Sequence, residues 1–134
     1  MLATLAAFVS AYNDGRVSDA MALVSERIVF SDCDYRELAA TIGEGRDLFQ
    51  KWLAARAVDH DQLQITRVFN DNPTGSSVVG VEFRRNSDAL RALGFREGVT
   101  SPGAKVAFTS DGRLIIAFIS ANSNDPACQL GQLR

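Results

Sequence analysis

The sequence predicts an α+β domain in which three N-terminal helices pack in a curved, mostly antiparallel sheet. Three observations predict it. Apolar residues recur at helical spacing in the segments that dominate the chain up to about residue 59, whereas two-residue alternation broken by turn signals runs through most of the remaining chain. Helices gathered first and strands gathered after argue for helices on one face of an antiparallel sheet rather than for alternating βαβ units. The last apolar run, Leu114–Ile119, is hydrophobic at both parities, so this strand is covered on both faces.

Each element has a local reason. Leu2, Leu5, Ala6, Val9 and Tyr12 form a helical stripe that Phe8 and Ala11 widen. Asn13-Asp14-Gly15 ends that helix, because glycine takes the left-handed position after a helix without a steric cost. Ser18 is placed to cap a short second helix over Asp19–Val24. The period then changes to two over Glu26–Cys33, with Ile28, Phe30 and Asp32 on one face. Tyr35–Gly43 reads as irregular or as a short edge strand. Gly45 opens the third helix, whose stripe is Leu48, Phe49, Trp52, Leu53 and Arg56 or Ala57, fading near Asp59. Gln62–Asn70 and Ser76–Arg85 make a hairpin around the Asp71–Gly75 turn. Ser87 caps a helical turn reaching Leu93, and Ala104–Thr109 and Arg113–Ala121 form a last hairpin closed by Asp111-Gly112. From about Asn122 the chain is a polar tail.

Composition excludes several function classes. A chain of 134 residues suits one domain spanning 1–134. A net charge of −2 offers no general attraction to nucleic acid or to anionic lipid. Leu114–Ile119 is far shorter than the roughly 20 apolar residues that span a bilayer. Cys33 and Cys128 fit neither a metal spacing nor a disulfide framework and read as buried or idle thiols in a reducing cytoplasm. GEGRD lacks the Lys-Ser/Thr ending of a phosphate loop. His60 is the only histidine, which removes a two-histidine metal site, and its setting in AVDHDQ reads as a solvated loop. The serines have no histidine partner for a triad.

The stretches FVSAYNDGRVSDAMALVSERIVFSD, GRDLFQKWL and FTSDGRLIIAF together resemble the nuclear transport factor 2-like superfamily, in its SnoaL-like and ketosteroid-isomerase-like branch, over about residues 2–121. The resemblance implies a cone-shaped, cystatin-like α+β barrel, an apolar pocket in its mouth, and a homodimer through the outer sheet face. It implies a small hydrophobic organic molecule as ligand and no metal or organic cofactor. Asp32 falls where that branch keeps its general base, so an isomerase, lyase or epoxide-hydrolase type of enzyme is one expectation. A non-catalytic ligand-binding or dimerisation module is the other. The oxyanion donors of the ketosteroid isomerases fall on Phe8 and beside Ala104, neither of which donates a side-chain hydrogen bond, so that activity is not expected; Tyr12 lies one turn on from Phe8. Phe8, Tyr12, Phe30, Trp52, Arg67, Phe83 and Phe108 are the candidate ligand contacts, the rings doubling as core. Arg67 either reaches the rim or pairs with an acid such as Asp32 or Glu82. An apolar setting for Asp32 predicts a raised pKa, and Asp34 is expected in solvent.

Overall fold

The computed structural model describes residues 1–34, 39–69 and 77–120. Its elements are α1 (Leu2–Asn13), α2 (Val17–Met21), β1 (Val24–Asp34), β2 (Ala39–Glu44), α3 (Arg46–Val58), β3 (Gln62–Phe69), β4 (Val78–Asn86), α4 (Asp88–Ala92), β5 (Val99–Phe108) and β6 (Ile115–Ile119). The six strands form one sheet in the order β2-β1-β6-β5-β4-β3. All neighbours are antiparallel except β1 and β6, which run parallel. The Asp71–Gly75 turn and the tail from Asn122 lie outside the described residues.

The expected elements are present, with shifted edges. Gly15 takes a φ of +69° directly after Asp14, ending α1 as its sequence implies. The second helix starts earlier than expected, at Val17 after Arg16, and no side chain caps it, so Ser18 is not its cap. Ser87 does cap α4, its side chain accepting from Leu90 N at 3.1 Å. β5 is longer than the expected Ala104–Thr109, because residues from Val99 pair with β4 as far as Arg85.

The core lies between helices and sheet. Phe8, Tyr12, Phe30, Phe49, Trp52, Phe83 and Phe118 pack against one another, mostly at tilted angles, with ring centroids 5.2–6.1 Å apart. Fully burying such a ring contributes roughly 1.5–3 kcal/mol. β3 is an edge strand, and α1 closes part of that edge. The Asn13 side chain donates to Leu63 O at 2.9 Å and accepts from Leu63 N at 2.7 Å, as a neighbouring strand would.

Strand direction gathers the chemistry. β1, β6 and β4 end where β5 and β3 begin, so Asp32, Ser120, Arg85 and Asp61 meet at one end of the sheet. Gly98 makes room there. Its φ is +81°, and a Cβ would stand 2.1 Å from the Arg85 carbonyl oxygen, so only glycine lets the turn into β5 approach Arg85.

Candidate functional site

Arg85 is the hub. Along β4 the inward positions are Val79, Val81, Phe83 and Arg85, so alternation carries a guanidinium into the interior while Arg84 faces out. Arg85 Nη1 donates to Asp32 Oδ1 at 2.5 Å, and Nη2 donates to Asp61 Oδ2 at 2.7 Å. One arginine thus bridges two carboxyl groups, with Asp32 0%, Arg85 1% and Asp61 2% exposed.

The two carboxyls are held differently. Asp32 also accepts from Trp52 Nε1 at 3.1 Å and from Ser120 Oγ at 2.8 Å, so both of its oxygens are engaged. Asp61 takes Arg85 and the Tyr12 hydroxyl, at 2.5 Å, on the single oxygen Oδ2, and its buried Oδ1 has no partner among the described residues. Arg56, one helical turn on from Trp52 in α3, reaches Asp34 Oδ2 at 3.3 Å and stands 3.7 Å from Asp32 Oδ2. Among the described residues its buried Nε and Nη1 meet no hydrogen-bond acceptor. A buried, unsatisfied donor costs about 1–3 kcal/mol and more when charged, so nothing in packing alone explains them.

Charge separates the pair. Burial pushes Asp32 up, but the charge and hydrogen bond of Arg85, with Arg56 and Ser120, outweigh it and hold Asp32 below the usual carboxylate range. For Asp61 burial wins: Arg85 and Tyr12 pull it down, Asp32 pushes it up, and the net shift is upward. Burial, then the Asp61 charge, drives the Tyr12 phenol well above its ordinary value. Burial also works against the Arg56 charge, yet Asp32 and its other neighbours raise its pKa. Two interacting carboxyls are thus shifted in opposite directions.

Several expectations are corrected here. Asp32 is lowered, not raised, because a guanidinium and not an apolar wall faces it. Arg67 does not pair with Asp32; it is exposed, with its guanidinium 4.5 Å from the Phe69 ring centroid, after a register shift between Ile65 and Arg67. Asp34 is half-buried against Arg56 rather than solvated. Cys33 is fully buried and disulfide-bonded, not an idle thiol, while Cys128 lies outside the described residues. His60 is exposed as expected and meets Asp88 at 2.7 Å. Tyr12 and Trp52 touch the cluster; Phe8, Phe30, Phe83 and Phe108 are buried core rings. From the sequence Arg84 and Arg85 face opposite ways on a strand, but neither Arg85 nor Asp61 is assigned to the site. A guanidinium at the inward parity of β4, and Arg56 within the apolar stripe of α3, are the signals that mark them.

Two recesses touch the cluster. One, of about 350 Å³ and open to solvent, has Arg85 in its wall with Leu63, Asn13, Gln62, Gln64, Arg84, Asn86 and Glu97. The other lies beside Tyr12 and holds about 10 Å³, less than a water needs. Among the described residues, no group of three His, Cys, Asp or Glu side chains is placed to hold a metal ion, and no helix is long and apolar enough to cross a membrane.

Solved structures share this architecture. The chain is similar to Rv0760c from Mycobacterium tuberculosis in complex with estradiol-17β-hemisuccinate, at 14% identity over 92% of this chain and 94% of that one, with a TM-score of 0.67. It is similar to SalBIII, an epoxide hydrolase/cyclase-like enzyme of pyran ring formation in the polyether salinomycin, at 15% identity over 87% and 84% with a TM-score of 0.64. A protein from Catenulispora acidiphila with a ketosteroid isomerase-like fold, in complex with trimethylamine, matches at 13% identity over 98% and 93% with a TM-score of 0.66. No protein-family model matches the sequence, and no curated protein does. The chain has the nuclear transport factor 2-like, cystatin-like fold, a cone of helices and curved sheet.

Proposed function

We propose that the protein is an enzyme needing no cofactor that performs acid–base chemistry on a small, mostly hydrophobic organic molecule, in the manner of an epoxide hydrolase or cyclase. The observation that carries this is one guanidinium bridging two buried carboxyls whose proton affinities are pushed apart. Asp61 is the proton carrier, since its Oδ1 is uncommitted. Asp32, the base expected from sequence, serves as the fixed anion that holds Arg85. In the forward step Asp61 gives its proton to a substrate oxygen as the C–O bond breaks. Water or a substrate hydroxyl adds to the carbon and returns a proton to Asp61, so the site is restored. The likeness to SalBIII supports the reaction class, and the steroid ester bound by Rv0760c supports a hydrophobic ligand. Incubation with cyclohexene oxide and styrene oxide, read as diol formation, tests it. Turnover falling at least about 100-fold in Asp61→Asn is expected; no diol, or equal diol from the variant, contradicts it. An unsaturated 3-ketosteroid should not isomerise, because Phe8 and Ala104 donate nothing to an oxyanion.

The stacked rings favour a second reading, a non-catalytic module whose interior is filled by its own side chains. A hydrophobic dye binding at one site per subunit argues for the enzyme, and no saturable binding argues for the module.

A homodimer belongs to either reading. In register, Val29, Ala117, Ala107 and Val78 follow Glu44 in one row across the outer face, and Ile42, Ser31, Ile119 and Lys105 make the next. Ile42 is 81% exposed, and an apolar row of this kind suits a second copy. Ile115 is fully buried and does not belong to it. The disulfide at Cys33 supports an oxidising compartment over the cytoplasm.

A further inference from the structure

The charged cluster is buried, and the end of α1 is clamped over it. Tyr12 and Asn13 are consecutive, and together they hold residues 61–63. The Tyr12 hydroxyl donates to Asp61 Oδ2 at 2.5 Å. The Asn13 side chain both donates to and accepts from the Leu63 backbone, and Gln62 Nε2 donates to Asn13 O at 2.7 Å. Recesses open to solvent flank this clamp. The one of about 350 Å³ has Arg85 in its wall, another of about 510 Å³ is bounded by Ala6, Val9 and Ile65, and Asn13 and Gln62 line both. The strands that carry Asp32 and Arg85 are joined through β6 and β5 by continuous backbone pairing. At the clamp a helix meets an edge strand, and side-chain amides stand in for a backbone ladder. Such bonds are individually weak, and Asn13 is only half-buried, so water can compete for them.

We infer that Asn13 is the latch of a gated entrance: the last turn of α1 lifts from β3, and water or a small ligand reaches the cluster through that seam. Lifting this turn carries the Tyr12 hydroxyl away from Asp61 and the Tyr12 ring away from Trp52, 5.8 Å between centroids, which joins the recesses to the buried carboxyls. Local opening of this kind costs less than unfolding the whole domain, because the aromatic core and the strand pairing stay in place. The inference does not rest on the acid–base reading of Asp61, since it concerns entry and not chemistry.

Trp52 supplies the probe. It is the only tryptophan of the chain, and its Nε1–H donates to Asp32 Oδ2 inside the cluster, so one indole resonance reports solvent entry. Hydrogen–deuterium exchange of that proton is followed by nuclear magnetic resonance, with global stability measured by urea denaturation. In the wild type the exchange should be faster than global unfolding allows and insensitive to low urea. Asn13→Ala should speed it by about tenfold beyond the change in global stability, since the Leu63 backbone loses both of its partners. If that variant does not fold, Asn13→Asp is read instead; it keeps the acceptor for Leu63 N, loses the donor to Leu63 O, and should show a smaller acceleration of the same kind. Thr4→Val removes a hydroxyl that donates to Gly112 O at 2.6 Å from the other end of α1, and should leave the exchange unchanged. Indole exchange that tracks global unfolding in the wild type and the Asn13 variant overturns the inference. So does a Thr4→Val protein that exchanges as fast as the Asn13 variant.

Discussion

The aromatic core and the Asp32–Arg85–Asp61 cluster are both buried, and the same elements build them, yet different physics holds each. The rings are stabilised by area removed from water, which does not depend on pH and tolerates similar apolar replacements. In the cluster two carboxyls share one guanidinium, and removing that guanidinium leaves both without their counter-charge. Tyr12 and Trp52 belong to both regions, each stacking in the core while its polar tip reaches a carboxyl. The lesson is that the core could survive without the cluster's chemistry, so a set of charges this costly points to use rather than to folding.

Breaking that contrast starts with Arg85. Arg85→Met should destabilise by about 3–5 kcal/mol at pH 7, since two buried carboxyls lose their counter-charge. The loss should shrink at pH 5, where both can protonate. Phe49→Ala should cost a similar 3–5 kcal/mol or so, equally at both pH values. Urea denaturation of the two variants at each pH checks it, and an Arg85 effect blind to pH would erase the distinction.

Within the cluster the two aspartates should behave oppositely. Asp32 is lowered in the folded state, so its contribution is present above the unfolded pKa of about 3.9 and is lost as pH falls through the folded value. Asp32→Asn should therefore cost about 1–3 kcal/mol at pH 7 and little near pH 3. Asp61 is raised, so its favourable contribution lies below the unfolded pKa and is lost as pH rises through the folded value. Asp61→Asn should be neutral or stabilising at pH 7. Melting temperatures of both variants decide this, and equal losses would show that the pair is one ion network without an acid.

The smallest effect on folding should come from the outer sheet face. Ile119→Lys should change stability of the isolated subunit by no more than about 0.5 kcal/mol, yet dissociate a dimer. Sedimentation at micromolar concentration reads it, and a wild-type monomer would remove the proposed interface.

The same contrast explains what was legible in the sequence. The core follows from local period: Leu5, Phe8, Val9 and Tyr12 repeat at helical spacing, and Phe49, Trp52 and Leu53 do so again, so a helix buries them wherever its partner lies. The caps at Gly15 and Ser87 are equally local. The cluster is not. Asp32 stood out because a carboxylate shares a face with Ile28 and Phe30, but its partner is set by pairing across β1, β6, β5 and β4, a long-range register that no short stretch encodes. Arg67 alternates with Leu63, Ile65 and Phe69 in the sequence, but a register shift in β3 turns it outward. Arg85 sits at the inward parity of β4, the one local hint of the site's hub. Asp61 looked like a loop acid beside His60 because nothing near it in sequence announces Tyr12.

The most direct measurement of the central claim is a carbon-13 titration of the aspartate carboxyls in the folded protein. The account predicts Asp61 titrating above the ordinary value of about 3.9 and Asp32 below it, with the Asp61 signal responding to cyclohexene oxide. Two carboxyls that both titrate below that value would leave a structural ion network and no proton carrier, and would contradict the account.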